Sequence, residues 1–360
     1  MSWQSNIVSL LSFSSGALLT ITLLLSFHGQ FVISTNSNSS SNPPKNYSAL
    51  VVFGDSYSDN GHLRQPEFQA SFSEPPSQGG RYCDGPVWNE FLALKLSLQY
   101  NVTLLNYAYN GAHINNQFTN NIAPKIVPDT ASQIQIYLQD LKDYIQKSTS
   151  QETVLIRVLH VWWIGINPLI TLWRSVLETK PTIDRRDNLI HQIIQQINLQ
   201  VDQLVQQIAL LLNNPSIPNF ECDYAVFTLP PLHMTRLVRD EAIHQAQENA
   251  QLVVYYIEII SRMIQYFNQR LTEVLTAFDL KNNRNNQKIA IFDSMAFWTE
   301  VDLNPNEYQI SSFEPCLPDP EQSPCDKPSA YEYWDKLHPS TAFHAYLSDR
   351  IINFLEIFNS

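Results

Sequence analysis

The sequence predicts an α/β fold with three layers, in which helices cover both faces of a central, mostly parallel sheet. Short apolar runs alternate along the chain with longer stretches in which apolar residues recur three and four positions apart. No internal repeat interrupts this alternation, and polar turns with Ser56, Gly111 and Asn167 follow three of the apolar runs. Strands that are joined by helices run parallel, and such sheets bind ligands beyond the carboxyl ends of their strands. We therefore expect these three residues at one edge of the sheet.

Each predicted element has its own signal. The first strand is the unbroken apolar run 49–53, which is typical of a strand buried on both faces and which ends at Gly54. The first helix, 88–98, places Trp88, Phe91 and Leu92 on one face. The other predicted strands are 103–107, 154–164, 224–229 and 288–292, and the other predicted helices are 132–145, 190–212 and 241–278, the last as one helix or two.

The composition excludes some classes of partner. The 360 residues carry a formal net charge of -12, and the chain is long enough to bury a sizeable core. Proteins that bind nucleic acids need clustered Lys and Arg, so no nucleic-acid partner is expected. No Cys-x-x-Cys pair or Cys/His cluster groups the four cysteines, so no metal or other cofactor is expected either.

The N-terminus resembles a secretory signal peptide. Residues 7–27 are mostly apolar, although no Lys or Arg precedes them, and Val32-Ile33-Ser34 offers a small-residue cleavage site. An uncleaved membrane anchor is the alternative, since the stretch is just long enough to span a bilayer. Membrane association is expected only in that case. The expected organisation is a signal peptide or anchor at 1–34, a Ser/Asn/Pro-rich linker at 35–45 and one folded domain at 46–360.

The glycosylation sequons and the cysteines are typical of a secreted protein. Asn-x-Ser/Thr sequons begin at Asn38, Asn46 and Asn101, which predicts a secreted glycoprotein. An even number of cysteines in an exported chain indicates disulfides. Cys316 and Cys325 flank a Pro-rich loop and are expected to pair. By elimination, the remaining cysteines, Cys83 and Cys222, would form a second bond.

Two segments far apart in the chain supply the groups of a catalytic triad. Ser56 lies on the turn that leaves the first buried strand, where a rigid sheet can hold a nucleophile in place. A serine hydroxyl needs a base, usually a histidine that a carboxylate orients. Asp335 and His338 are three residues apart before Pro339, so the carboxylate can reach Nδ1 while Nε2 faces the serine.

These segments resemble the GDSL, or SGNH, hydrolases, in particular their plant and fungal branch with its acetylesterases. Residues 53–59, Phe-Gly-Asp-Ser-Tyr-Ser-Asp, are similar to the first sequence block of the family, and Asp335-Lys336-Leu337-His338-Pro339 to the last. Residues 106–112 are similar to the second block and 163–167 to the third. Four matches in the family's order cover nearly the whole of 46–360 and are far more specific than any single block.

The resemblance implies a flavodoxin-like SGNH fold and a serine esterase. Ser56 would be the nucleophile, His338 the general base and Asp335 its orienting carboxylate. The oxyanion hole would comprise the backbone N–H groups of Ser56 and Gly111 with the side-chain amide of Asn167. The chain departs from the family at two positions, since Asn110 replaces a glycine and Pro168 replaces an aspartate.

Three functions remain open at this stage. The favoured one is a secreted esterase that hydrolyses short acyl or acetyl esters through an acyl-enzyme, with small-molecule or carbohydrate esters as substrates. A lipase that acts on longer-chain lipid esters is the second. The third is a non-catalytic cell-surface protein that keeps the fold, for which the departures at Asn110 and Pro168 are the only support.

Overall fold

The computed structural model describes residues 47–61, 81–98, 101–118, 127–147, 157–179, 186–214, 221–247, 249–282 and 289–359. All of them belong to the unit Asn42–Ser360 of the chain. The expected leader at 1–34, the linker at 35–45 and the sequons at Asn38 and Asn46 lie outside the described residues. Among the described helices, none is both long and apolar enough to cross a membrane.

A parallel sheet forms the centre of the fold. In the part of the chain that the structure describes, its strands are β1 (Ala49–Gly54), β2 (Thr103–Asn106), β3 (Arg157–Trp163), β4 (Glu221–Phe227) and β5 (Ile289–Phe292). Their order is β2-β1-β3-β4-β5, and every neighbouring pair is parallel. The order 2-1-3-4-5 is that of flavodoxin-like folds. The predicted fold class is therefore confirmed.

The α-helices formed by the described residues are, in chain order, α1 (Trp88–Ser97), α2 (Thr130–Lys147), α3 (Ile166–Thr179), α4 (Arg186–Leu212), α5 (Arg236–Ala246), α6 (Ala250–Asn282), α7 (Ser294–Leu303) and α8 (Thr341–Asn359). The predicted helix 241–278 is two helices, α5 and α6, because Gln247 adopts a left-handed conformation that ends α5. The sequence patterns described above do not predict α3, α7 or α8.

Two neighbouring tryptophans show how the layers are arranged. Successive residues of a strand point to opposite faces, and Trp162 packs near Phe53 while Trp163 packs near Trp88 of α1. Tyr137 of α2 lies edge-on to Phe53, which places α2 on the face opposite to α1. The helices α4 and α6 continue the α2 layer, and α8 packs beside α1. Helices therefore cover both faces of the sheet.

The register of the strands ends β1 and β3 level with each other and ends β2 two residues earlier. Gly54 at the end of β1 lies beside Trp163 at the end of β3, and Val52 lies beside Asn106 at the end of β2. The turns with Ser56, Gly111 and Asn167 consequently leave the sheet at the same edge.

Candidate active site

Ser56 lies on a tight turn directly after β1. The N–H groups of Ser58 and Asp59 both donate to the carbonyl of Asp55, at 3.0 and 2.9 Å, which closes the turn around Ser56. Gly54 is required before this turn, because a Cβ there would lie 2.5 Å from the carbonyl oxygen of Trp163. The sheet therefore fixes the backbone that carries the serine.

Gln133, a buried residue of α2, binds the end of β1. The sequence patterns do not predict this contact. Gln133 accepts a hydrogen bond from the Gly54 N–H and donates one to the Gly54 carbonyl, both at 2.9 Å. These bonds attach α2 to the end of β1, where the Gly54 carbonyl also accepts the N–H of Tyr109 at 3.2 Å. The only available signal was its position one helical turn before Tyr137, on the apolar face of α2.

Ser56, His338 and Asp335 form a continuous chain of hydrogen bonds. His338 Nε2 lies 2.9 Å from Ser56 Oγ, and His338 Nδ1 lies 2.8 Å from Asp335 Oδ2. Asp335 Oδ1 accepts the backbone N–H groups of Leu337 and His338, at 2.8 and 2.7 Å. The carboxylate thus shapes the turn and orients the imidazole at the same time. The structure brings the three predicted catalytic residues together.

The electrostatics keep Asp335 ionised. Burial by itself would raise the pKa of this carboxyl group, but the charge of His338 and the hydrogen bonds from His338 and Leu337 lower the pKa below its usual value. A charged carboxylate at Nδ1 is what a histidine needs in order to become positively charged during proton transfer.

The segment with Asp335 and His338 is tied down from several directions. Tyr57, next to the serine, donates its hydroxyl to the Leu337 carbonyl at 2.7 Å. The N–H of Leu237 in α5 donates to the Lys336 carbonyl at 2.8 Å. The N–H of Cys316 donates to the Tyr333 carbonyl at 3.0 Å, so the loop that follows Cys316 is attached just before Asp335. The Tyr57 hydroxyl therefore joins the serine turn directly to the segment with His338, and the two backbone bonds fix that segment to α5 and to Cys316.

The predicted oxyanion donors follow the ends of three strands: Ser56 and Gly111 lie on turns after β1 and β2, and Asn167 is the second residue of α3, which begins just after β3. Gly111 has a φ of +78°, a conformation that favours glycine, although a Cβ there would meet no atom within 4 Å. Asn167 Nδ2 donates one hydrogen bond to the Ala112 carbonyl at 3.0 Å, which leaves its second N–H free to bind another acceptor. The backbone N–H groups of Ser56 and Gly111 have no acceptor among the described residues. The arrangement offers three hydrogen-bond donors near the serine.

The two departures from the family pattern leave this arrangement in place. Pro168 is the third residue of α3, where a helix has no internal acceptor for the backbone N–H, so proline costs no hydrogen bond. The sequence pattern predicts no helix here, although Pro168 is compatible with the first turn of one. Asn110 donates its backbone N–H to Asp59 Oδ2 at 2.7 Å, so this interaction does not depend on its side chain.

Asp55 is a buried acid beside the nucleophile. Its side chain is fully buried, and Oδ1 accepts the Tyr57 N–H at 3.2 Å. Burial raises the pKa of Asp55 to about 7, although the N–H groups of Tyr57 and Ile166 and the charge of His338 act in the opposite direction.

The cysteine predictions have different outcomes. Cys316 and Cys325 form a disulfide, so this prediction is confirmed. The pairing of Cys83 with Cys222 is wrong, because both are free and buried. Cys83 precedes α1 and donates to the Gly85 carbonyl at 3.0 Å, near the residues that follow His338. Cys222 is the second residue of β4, at the opposite end of the sheet.

Of the three sequons, only Asn101 lies in the described part of the chain. It lies two residues before β2 and its side chain is exposed, as a glycan attachment site must be.

Comparison with known proteins places this geometry in context. The profile of the GDSL-like lipase/acylhydrolase family matches residues 50–351. A phosphatidylcholine-sterol acyltransferase of Aeromonas hydrophila is 24% identical over 336 residues, which cover 86% of this chain and 90% of that protein. A thermolabile hemolysin of Vibrio parahaemolyticus is 23% identical over 335 residues, which cover 88% of this chain and 66% of that protein. Both relatives are bacterial, so the expected plant and fungal branch is not supported.

Solved structures with a similar fold include phospholipase A1 from Streptomyces albidoflavus NA297. The two chains share 13% identity and a TM-score of 0.38, over 85% of this chain and 98% of the other.

Proposed function

The chain belongs to the GDSL-like lipase/acylhydrolase family and is a carboxylic ester hydrolase, and we propose that Ser56, His338 and Asp335 are its catalytic triad. The hydrogen-bond chain from Ser56 Oγ through both imidazole nitrogens to Asp335 carries this proposal. A family profile identifies the type of hydrolase, whereas these contacts assign a role to each residue.

In the proposed reaction, Ser56 Oγ attacks the ester carbonyl while His338 Nε2 accepts its proton. The negative charge that forms on the carbonyl oxygen is bound by the N–H groups of Ser56 and Gly111 and by the amide of Asn167. His338 then gives the proton to the leaving alcohol, and an acyl group remains on Ser56. A water molecule, deprotonated by His338, releases the acid and restores the serine.

We favour short acyl or acetyl esters as substrates, including those of carbohydrates. A long acyl chain needs a continuous apolar surface beside the site. In the apolar segment after Asn167, Leu169, Ile170 and Trp173 are buried in the core, so Leu172 is the one apolar side chain of this segment left beside the site. The alternative is a lipase that acts on longer-chain lipid esters. The name of the Aeromonas relative, a phosphatidylcholine-sterol acyltransferase, supports that alternative.

The test is the turnover of p-nitrophenyl acetate, butyrate and palmitate by the purified protein, with Ser56→Ala as the control. We expect hydrolysis that decreases with chain length and that is lost in Ser56→Ala. A serine-directed organophosphate should label Ser56 in the wild type and fail to do so in His338→Ala. Palmitate as the best substrate would favour the lipase, and labelling of another serine would refute the triad.

We also propose that the protein is secreted and glycosylated. The apolar stretch 7–27 and the sequons support this, and the exposed position of Asn101 makes it available to a glycan. N-terminal sequencing of the protein from culture medium should find a start after residue 34, and deglycosylation should lower its mass. A cell-bound protein that starts at Met1 would contradict cleavage and support the anchor.

A further inference from the structure

A cavity of about 470 Å³ lies next to the candidate oxyanion donors. One wall is formed by the residues that follow Gly111, from His113 to Gln117, and the other by Pro168 with α3 and the first half of α4. The hydrogen bond from Asn167 to the Ala112 carbonyl joins the starting points of these two walls. The volume is in the range of small-molecule binding sites. A group attached to a bound ester could therefore extend from the site into this cavity.

The lining of the cavity is uncharged and combines polar with apolar side chains. No Asp, Glu, Lys or Arg is among the described residues that line it. Carboxamide side chains are prominent instead: Asn115, Gln117, Gln192, Gln196 and Gln200. A carboxamide both donates and accepts hydrogen bonds, and so does a hydroxyl group of a ligand. Apolar side chains such as Leu172 and Ile193 complete the wall.

Two buried polar side chains of the lining have no partner of their own. Gln200 is 6% exposed, and its Oε1 has no hydrogen-bond partner among the described residues. Gln207, two turns further along α4, is equally buried but bonds to Thr130 Oγ1 at 2.6 Å and to the Ile114 carbonyl at 2.8 Å. Buried polar groups in proteins are nearly always paired, as Gln207 is. The unpaired oxygen of Gln200 is therefore an exception that a bound ligand would explain.

His113 is the second such side chain. It is 7% exposed, and neither ring nitrogen has a hydrogen bond to a described residue. Burial lowers the pKa of His113 to about 4, against the charge of Asp129, so the ring is neutral and offers one donor and one acceptor. The cavity thus has unused hydrogen-bonding capacity on both of its walls.

We propose that this cavity binds a neutral, hydroxyl-rich group of the substrate, such as the glycosyl unit that carries the ester, with Gln200 and His113 as its polar contacts. The inference rests on the proposed esterase activity and names the substrate class of that site. A phosphate-bearing headgroup would require Lys or Arg in the lining. A long acyl chain would leave the buried Oε1 of Gln200 unpaired, whereas a sugar hydroxyl can donate a hydrogen bond to it.

The experiment compares two acetate esters of similar ring size in the intact protein. One is a monoacetylated methyl glucoside and the other is cyclohexyl acetate, which lacks the hydroxyl groups. We expect kcat/KM for the glucoside ester to be at least about tenfold higher, because a site built for hydroxyl groups rejects an analogue without them. In Gln200→Leu this ratio should fall about tenfold, mainly through the KM of the glucoside ester. Gln195→Leu, on the same helix but outside the cavity lining, should keep the wild-type ratio.

The outcomes separate this inference from the proposed triad. If p-nitrophenyl acetate turnover depends on Ser56 but the ratio is near one, or is unchanged in Gln200→Leu, the cavity inference is wrong and the triad stands. If no ester is cleaved in a Ser56-dependent way, the proposed function itself fails. Faster cleavage of p-nitrophenyl octanoate by Gln200→Leu, without loss of the ratio, would show an acyl-chain pocket and overturn the inference. Urea unfolding of Gln200→Leu should match the wild type, because the change removes no hydrogen bond to a described residue.

Discussion

Asp59 Oδ2 accepts a hydrogen bond from the backbone N–H of Asn110 at 2.7 Å. Its other oxygen accepts the Gly61 N–H at 2.9 Å, at the end of the turn that carries Ser56. One carboxylate therefore sets the position of the Gly111 turn relative to the nucleophile. It acts on the candidate oxyanion hole through the backbone, as a positioning residue.

Asp59→Ala should lower kcat for p-nitrophenyl acetate by about tenfold or more, with a smaller change in KM, since a displaced oxyanion donor weakens mainly the transition state. Asp59→Asn keeps an oxygen that can accept the Asn110 N–H, and it should recover much of the loss. Steady-state kinetics of both variants, with unfolding curves to confirm that they are folded, test this. Equal losses in kcat for the two variants would contradict a positioning role through Asn110.

The triad predicts non-additive losses. Ser56→Ala, His338→Ala and Asp335→Ala should each remove most of the activity, and double variants should cost little beyond the worst single one, because the three residues act as a unit. Single-turnover rates with p-nitrophenyl acetate are the measurement. Losses that multiply in Ser56→Ala/His338→Ala would show that the two residues act independently.

Asn167→Ala tests the oxyanion hole. The variant should lower kcat by roughly a hundred- to a thousandfold with little change in KM, because the free N–H of the amide is needed mainly in the transition state. Asn213→Ala, an exposed amide at the end of α4 that donates to the Ala209 carbonyl, is the matched control and should retain p-nitrophenyl acetate turnover. A fall in Asn167→Ala that is confined to KM would remove Asn167 from the oxyanion hole.

Much of this arrangement could be predicted from the sequence because it rests on local patterns. The apolar run that ends in Gly-Asp-Ser predicts a strand followed by a turn, and the spacing of Asp335 and His338 predicts their contact. Each pattern involves only a few consecutive residues. The role of Gln133 could not be foreseen, since a glutamine on a helix gives no sign that it will meet the end of a strand 79 positions away. The free state of Cys83 and Cys222 could not be predicted either. An even number of cysteines does not show which of them are close enough in space to form a bond.

Asp55 predicts an unusual dependence of stability on pH. Its pKa is raised from 3.8 to about 7, so between these values the folded protein keeps a proton that the unfolded chain has released. The folded state is then favoured at low pH, and this contribution is lost as the pH rises, by up to about 1.4 kcal/mol per pH unit. Asp55→Asn removes this term while it keeps an oxygen to accept the Tyr57 N–H.

The measurement is urea unfolding of both proteins between pH 4 and pH 8. The free energy of unfolding of Asp55→Asn, minus that of the wild type, should increase with pH up to about 7 and then level off. The other titrating groups are common to both proteins and cancel in this difference. A difference that is flat across the range would mean that Asp55 titrates equally in both states.

The disulfide between Cys316 and Cys325 should stabilise the fold. It closes a loop with a sequence separation of 9, for which the chain-entropy model gives about 2–3 kcal/mol. Cys316→Ser/Cys325→Ser should lower the free energy of unfolding by that amount. It should also lower activity, because the N–H of Cys316 is bonded to the backbone just before Asp335. Reductant should produce the same loss of stability in the wild type and no further loss in the variant, and stability that is unchanged by either treatment would contradict the prediction.

The two free thiols, Cys83 and Cys222, can report local opening of the fold. Burial raises the pKa of Cys83 to about 12 and that of Cys222 to about 11, so neither is a reactive thiolate in the closed fold. The rate of alkylation of either cysteine therefore measures how often the structure around it opens. Cys83 faces the start of α8, directly after the histidine segment, while Cys222 lies within the central sheet. The ratio of their alkylation rates would show whether the structure near the serine edge of the sheet opens more often than the sheet itself.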